Sequence, residues 1–272
     1  MRLWRSRHPS SLHFALDYFL FSSSNHKYKM PRVELTTATR MHHYCDMSTA
    51  ETLEAWRAAD AVCFDVDSTV ITDEGLDELA NFCGKGDIVQ KITQEAMRGG
   101  VEFREALRAR LNLLRPEKDI VQKFIRAHPP SLTPGIKELV SELQSRETDV
   151  YLVSGGFMSL ISPVAEKLGI PRENVIANRL QFYFDGQYAG FDESQPTSRS
   201  GGKAEVVAAL LRKHGYECLV MVGDGMTDME ACPPAHAFIG FGGNVEREAV
   251  KEKAPLYVTS FHWLRQRLNE KH

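Results

Sequence analysis

Across its 272 residues the chain never approaches the ~18 consecutive apolar residues of a membrane span. It has no CxxC pair and no GxGxxG string, which removes the usual signals for a thiol redox motif and for a dinucleotide fold. Positive charge is not in excess: 33 Lys and Arg stand against 36 Asp and Glu, for a net charge of -3. A nucleic-acid-binding domain would ordinarily show a strongly basic face, so no nucleic-acid partner is expected. The five cysteines, Cys45, Cys63, Cys83, Cys218 and Cys232, are scattered and odd in number. That argues against a disulfide framework and for a reducing compartment.

What is present is ordinary globular composition, 43% hydrophobic and 25% charged. It suffices for one large core, or for a core with a small second domain. Residues 1–46 stand apart. They carry seven basic residues (Arg2, Arg5, Arg7, Lys27, Lys29, Arg32, Arg40) against three acids (Asp17, Glu34, Asp46). The segment is rich in Ser and His, and Asp17 interrupts its apolar patch from Phe14 to Phe21. A secretory signal fits poorly. An organelle transit peptide fits better, and a disordered extension with the working start at Met47 is the competing reading.

From residue 47 onward, strands alternate with helices. The run Ala61-Val62-Cys63-Phe64 ends in Asp65-Val66-Asp67-Ser68-Thr69. Asp149-Val150-Tyr151-Leu152-Val153 ends in Ser154-Gly155-Gly156, and Leu219-Val220-Met221-Val222 ends in Gly223-Asp224-Gly225. Val175 to Asn178, Ala237 to Phe241 and Leu256 to Val258 are further strands. The pattern predicts an α/β fold, a Rossmann-like parallel sheet with helices on both faces. Residues 85–128 carry helical periodicity and no strand signal, which makes them an inserted helical block. The alternating segment from Leu180 to Phe191 around Asp185-Gly186 predicts a β-hairpin. The expected organisation is an N-terminal extension over 1–46, an α/β core over 47–80 and 130–272, and a helical cap over 81–129.

In parallel sheets ligands bind at the carboxyl ends of the strands, where Asp65, Asp67, Ser154, Asp224 and Asp228 all fall. Alternation along a strand lets Asp65 and Asp67 point the same way. At ~5 Å and an effective dielectric of ~20, two such charges repel by about 3 kcal/mol. A bound cation or a proton relieves that repulsion, and the bland alternative is a polar turn in which Asp67 caps the next helix. Three carboxylates without His or Cys suit a hard, oxygen-bound ion, Mg²⁺ first. Ser154, the amides around Gly155-Gly156, and Lys203 are phosphate-type donors. Together they point to phosphoryl chemistry.

Phe64-Asp65-Val66-Asp67-Ser68-Thr69, Val153-Ser154-Gly155-Gly156, Lys203 and Gly223-Asp224-Gly225 with Asp228 resemble the four motifs of haloacid dehalogenase-like phosphatases. The longer strings DVDSTVITDEGLDELA, LTPGIKELV, FYFDGQYAGFDESQPTSRSGGK and GDGMTDMEACPPAHAFIGFGGN resemble the phosphoserine phosphatases within that superfamily. The likeness runs from about Met47 to the C-terminus. It implies Mg²⁺-dependent hydrolysis of the small molecule O-phospho-L-serine through an aspartyl-phosphate, the final step of serine biosynthesis. The alternative is a related phosphatase or phosphotransferase acting on another small phosphate ester. By the same resemblance Asp65 is the nucleophile and Asp67 the general acid and base. Mg²⁺ is held by Asp65, the Asp67 backbone carbonyl and Asp224, with Asp228 in support. Ser154, Gly155, Gly156, Lys203 and Thr227 bind the phosphoryl group, Glu74 the substrate ammonium and Arg110 its carboxylate, and Met97 and Arg98 line the cap side. Arg98 departs from the family pattern, standing where the first glycine of a Met-Gly-Gly string is usual. No membrane partner is expected, and homodimerisation is left open. The location implied is cytoplasmic, or an organelle if residues 1–46 are a transit peptide.

Overall fold

The computed structural model describes residues 47–97 and 102–270. The readings made for residues 1–46 and for Arg98 therefore lie outside the described residues. The described chain opens with helix α1 (Thr49–Ala58). Ser48 starts it as half of a capping box: its hydroxyl accepts from the Glu51 amide, and the Glu51 carboxylate accepts from the Ser48 amide at 2.8 Å. Strand β1 (Ala61–Phe64) follows, with every residue buried.

Between β1 and the next strand come α2 (Gly75–Phe82), α3 (Gly86–Met97), α4 (Phe103–Leu114), α5 (Lys118–Ala127) and α6 (Ile136–Ser145). The rest is β2 (Asp149–Phe157), α7 (Met158–Leu168), β3 (Val175–Asn178), β4 (Leu180–Phe182), β5 (Tyr188–Phe191), α8 (Gly202–His214), β6 (Leu219–Gly223), α9 (Met226–Met229), β7 (Ala237–Phe241), α10 (Glu248–Lys251), β8 (Leu256–Val258) and α11 (Phe261–Leu268).

Six strands form one sheet in the order β3-β2-β1-β6-β7-β8, each pair parallel. The order reverses direction at β1, which pairs with β2 on one side and β6 on the other. The loops after β1, β2 and β6 therefore open into a common crevice, the usual ligand position in such sheets. Strands β4 and β5 form the antiparallel hairpin expected around Asp185-Gly186.

Side-chain alternation divides the sheet's burden. Val62, Phe64, Val220, Val222 and Ile239 face a core completed by Trp56, Leu139, Leu143, Val164 and Phe261. Ala61, Cys63, Tyr151, Val153, Met221 and Phe238 face a second core with Val206, Val207 and Leu210 of α8. Helices α2, α3 and α5 share a separate apolar cluster that includes Leu79, Ala80, Val89, Val121 and Phe124. The segments that lead into and out of this helical block meet at a single antiparallel bridge between Ile71 and Leu132.

One element differs from its sequence outline. Strand β2 runs on through Ser154-Gly155-Gly156 to Phe157, with a register shift against β3 beyond Val153. The Asn178 side-chain amide donates to the Gly155 carbonyl at 2.8 Å, a bond that supports the extended backbone past the regular ladder. Cys63, Cys83 and Cys218 are free thiols. Among the described residues no helix is long and apolar enough to cross a membrane.

Leu139 is wholly buried in the core beneath β1 and β2. Leu139→Ala is expected to lower stability by about 2–5 kcal/mol. The change should appear as a lower urea midpoint at an unchanged m-value.

Candidate active site

The site begins where β1 runs out. Phe64 is the last ladder residue, and the Asp65 amide still donates to the Val222 carbonyl of β6 at 2.9 Å. That bond fixes Asp65 at the crevice between β1 and β6. Beyond it the chain turns sharply through Ser68, a non-glycine residue at φ 55. Such a conformation costs free energy and needs support. Support comes from Asn244, whose side-chain amide donates to the carbonyls of Ser68, Thr69 and Ile71 at 3.1, 3.3 and 3.3 Å. It also reaches the Thr133 hydroxyl at 2.7 Å, and that hydroxyl donates to the Thr69 carbonyl.

Asp65, Asp224 and Asp228 converge. One carboxylate oxygen from each lies within 4.8 Å of the others, and all three residues are buried. Lys203, from the first turn of α8, donates to Asp65 at 2.7 Å and to Asp228 at 2.5 Å. Burial alone would pull the lysine's pKa down, but Asp228 and Asp65 outweigh it and hold the ammonium protonated. The Asp228 carboxylate also accepts from the Gly225 amide at 2.9 Å. Gly223 permits this packing, because a Cβ there would lie 2.2 Å from the Asp228 carboxyl carbon.

Asp67 serves a different neighbour. Its carboxylate accepts from the Gly75 amide, the first of α2, at 2.8 Å, so it caps that helix. Burial pushes its pKa up to about 7, and the nearby Glu74 charge adds to the rise. Asp65 is raised as well, first by burial and then by Asp228, with Lys203 opposing. The two acids of the Asp65/Asp67 motif are thus electrostatically distinct although two residues apart.

Ser154 is buried within β2, where its hydroxyl accepts from the Gly156 amide at 2.8 Å. Gly156 brings this turn against the acids: a Cβ there would stand 2.8 Å from an Asp67 carboxylate oxygen and 3.1 Å from the Ser154 hydroxyl. The tip of the Phe103 ring from α4 abuts Gly155, where a Cβ would lie 2.9 Å from its Cζ, so the helical block touches this segment directly. Thr227 is half-buried within α9, next to Asp228.

Just before α2, the Ser68 hydroxyl donates to Glu74 at 2.8 Å. Arg110 of α4 is partly buried, and desolvation lowers its pKa while Asp77, Glu74 and Asp67 act in the opposite sense. Glu74 and Arg110, opposite in charge, are thus close enough to interact electrostatically with each other and with Asp67. Met97 closes α3, and its side chain, like the whole of Arg98, is outside the described residues. A cavity of about 260 Å³ adjoins the turn, lined by Asp67, Gly75, Leu76, Phe124, Gly156 and Leu160.

The donor set fits a hard divalent cation. The ligand atoms available are all carboxylate oxygens, and Lys203 with Arg247 leaves the cluster of Asp65, Asp224 and Asp228 one positive charge short. Asp228, read from the sequence as a supporting residue, contributes an oxygen to this cluster. The Asp67 carboxylate turns to Gly75 instead.

Four polar residues here were not singled out from the sequence. Asn244 and Thr133 hold the Asp67–Ile71 turn, Asn178 holds the Gly155 backbone, and Arg247 donates to Asp224 at 2.6 Å and Glu74 at 3.2 Å. Gly242-Gly243-Asn244, directly after a buried strand, was the available signal for Asn244. Nothing local marks Arg247.

A family model described as a haloacid dehalogenase-like hydrolase matches residues 59–236. The chain is 58% identical over 215 residues to phosphoserine phosphatase of Bos taurus, covering 79% of this chain and 96% of that one. It is 51% identical over 216 residues to the chloroplastic phosphoserine phosphatase of Arabidopsis thaliana, covering 79% and 73%. Among solved structures, a phospho-aspartyl intermediate analogue of phosphoserine phosphatase superposes with a TM-score of 0.65 at 32% identity, covering 74% of this chain and 94% of that one.

Asn244→Ala removes the hydrogen bonds to three turn carbonyls and to Thr133. It is expected to cost about 2–3 kcal/mol, since the freed groups lie in a largely buried turn. Thermal unfolding measures the loss, and faster hydrogen exchange of the amides of residues 68–71 localises it.

Proposed function

The chain belongs to the haloacid dehalogenase-like hydrolases, and on that premise we propose that it hydrolyses O-phospho-L-serine to L-serine and phosphate in the last step of serine biosynthesis. What supports the substrate choice is that Glu74 and Arg110, opposite in charge, both lie close enough to Asp67 and to each other to interact electrostatically. A zwitterionic amino acid needs one anion for its ammonium and one cation for its carboxylate, and Arg offers a two-pronged fork to the latter. The strong identity to phosphoserine phosphatases supports the same reading.

In this proposal Asp65 attacks phosphorus with a carboxylate oxygen and becomes an aspartyl-phosphate, and the serine oxygen departs with its bonding pair. Asp67 supplies a proton to that oxygen. The pKa near 7 supports this role, because the group holds a proton near neutrality and can release it. In the second half-reaction the Asp67 carboxylate takes a proton from water, and the resulting hydroxyl attacks phosphorus and frees Asp65. Ser154, Lys203, Thr227 and the amides of Gly155 and Gly156 hold the phosphoryl oxygens. Mg²⁺ bound by Asp65, Asp224 and the Asp67 backbone carbonyl, with Asp228 beside it, would neutralise charge on the phosphoryl group. Residues 47–80 and 130–272 form the catalytic core of this scheme, and 81–129 form its cap. The chain acts in the cytoplasm on this reading, with an organelle as the alternative if residues 1–46 are a transit peptide.

Asp65→Asn should leave the unfolding curve close to that of the parent and lower turnover by about a thousandfold or more. Full retained activity would contradict the assigned nucleophile. Arg110→Ala should raise KM for O-phosphoserine by about 10- to 100-fold, the weight of a charged hydrogen-bonded pair. Its KM for an aryl phosphate lacking a carboxylate should change little, and equal effects on both substrates would remove the specificity argument.

A further inference from the structure

Arg247 bridges two groups that have separate assignments. Its Nε donates to an Asp224 carboxylate oxygen at 2.6 Å, and its terminal nitrogen donates to Glu74 at 3.2 Å. The other Asp224 oxygen accepts from the Thr69 hydroxyl at 3.1 Å, so both oxygens of this carboxylate are engaged. Asp224 is nearly inaccessible, with 3% of its side chain exposed, whereas Arg247 is 30% exposed and Glu74 46%.

We propose that Arg247 is a placeholder cation, occupying the metal position's Asp224 and the ammonium position's Glu74 together, so that both cationic ligands bind in competition with it. The Glu74 half of this inference rests on the functional reading above. The Asp224 half rests on the acidic cluster alone. Lys203 is bound to Asp65 and Asp228 and supplies one positive charge among three buried carboxylates. Arg247 supplies the second, directly on Asp224. A divalent ion approaching Asp224 meets a guanidinium already bound to that carboxylate, and like charges at such range repel.

The two cations differ in freedom to yield. Lys203 lies in the first turn of α8 with its ammonium sealed between two acids. Arg247 precedes the short helix α10 and is substantially open to solvent. Displacement by an incoming ion therefore falls on Arg247. Because one guanidinium holds both acids, a cation that frees Asp224 also alters the partner of Glu74. Metal occupancy and the amine position are coupled through this one side chain.

The test is isothermal titration of Mg²⁺ into metal-free protein, without substrate, for the parent chain, Arg247→Gln and Arg247→Lys. Arg247→Gln should bind Mg²⁺ about two- to fivefold more tightly, the size of a part-exposed ion pair. Arg247→Lys keeps the charge but not the two-pronged span, and should fall between. With Mg²⁺ saturating, L-serine should also bind Arg247→Gln more tightly than the parent. Should Arg247→Gln fail to fold, Arg247→Lys carries the comparison. Unchanged Mg²⁺ affinity in the folded variants would overturn the proposal. Weaker affinity would also overturn it, because it would make the arginine a support that orients Asp224 toward the ion. Titration with Mg²⁺ alone separates this outcome from any failure of the phosphoserine reading, which would leave the metal result intact.

Discussion

The structure depends on keeping three negative charges together at the carboxyl edge of a parallel sheet. Asp65, Asp224 and Asp228 sit within hydrogen-bonding range of a few cationic groups and almost no water. Each carboxylate buried in this way costs several kcal/mol unless it is paired or hydrogen-bonded. Lys203 answers two of them, and Arg247 with Thr69 answers the third. The apolar cores on both faces of the sheet make this tolerable. They fix β1 and β6 in register, so that Asp65 and Asp224 cannot separate without disturbing strands whose residues are wholly buried.

The same constraint distributes the roles of the two motif acids. Asp65 follows β1 directly and lies against the lysine. Asp67, two residues on, is carried by the Ser68 turn toward α2 and the Ser154–Gly156 segment. The raised pKa of Asp67, driven first by burial and then by Glu74, therefore follows from the turn geometry and not from the acid's own sequence context. Asn244, reaching back from the loop after β7, sets that geometry. A residue far along the chain thus determines how a local motif divides its chemistry.

Much of this was legible in the sequence because strand, turn and helix alternate with strong patterning. The six-stranded sheet, the hairpin and the helices between β1 and β2 follow from apolar runs bounded by Gly, Pro and Asp, as does the placing of Asp65 and Asp224 directly after strands. What was not legible is tertiary. Arg247 has no helical or strand periodicity to mark it, and its importance comes from two acids 23 and 173 positions away. Asn178 and Thr133 likewise act on backbone segments distant in sequence, and no spacing rule relates them. The continuation of β2 through Ser154-Gly155-Gly156 was hidden for a similar reason, since a glycine pair reads as a turn until a side chain from β3 is seen to hold it.

The central claim joins an aspartate nucleophile to a binding site for an amino-acid zwitterion. The direct measurement is phosphate release over a panel of small phosphate esters with Mg²⁺ present, including O-phosphoserine, O-phosphothreonine, phosphoethanolamine, glycerol phosphate and an aryl phosphate. The account predicts the highest kcat/KM for O-phosphoserine, with a marked fall for phosphoethanolamine, which lacks only the carboxylate. Comparable kcat/KM for phosphoethanolamine and O-phosphoserine would contradict it.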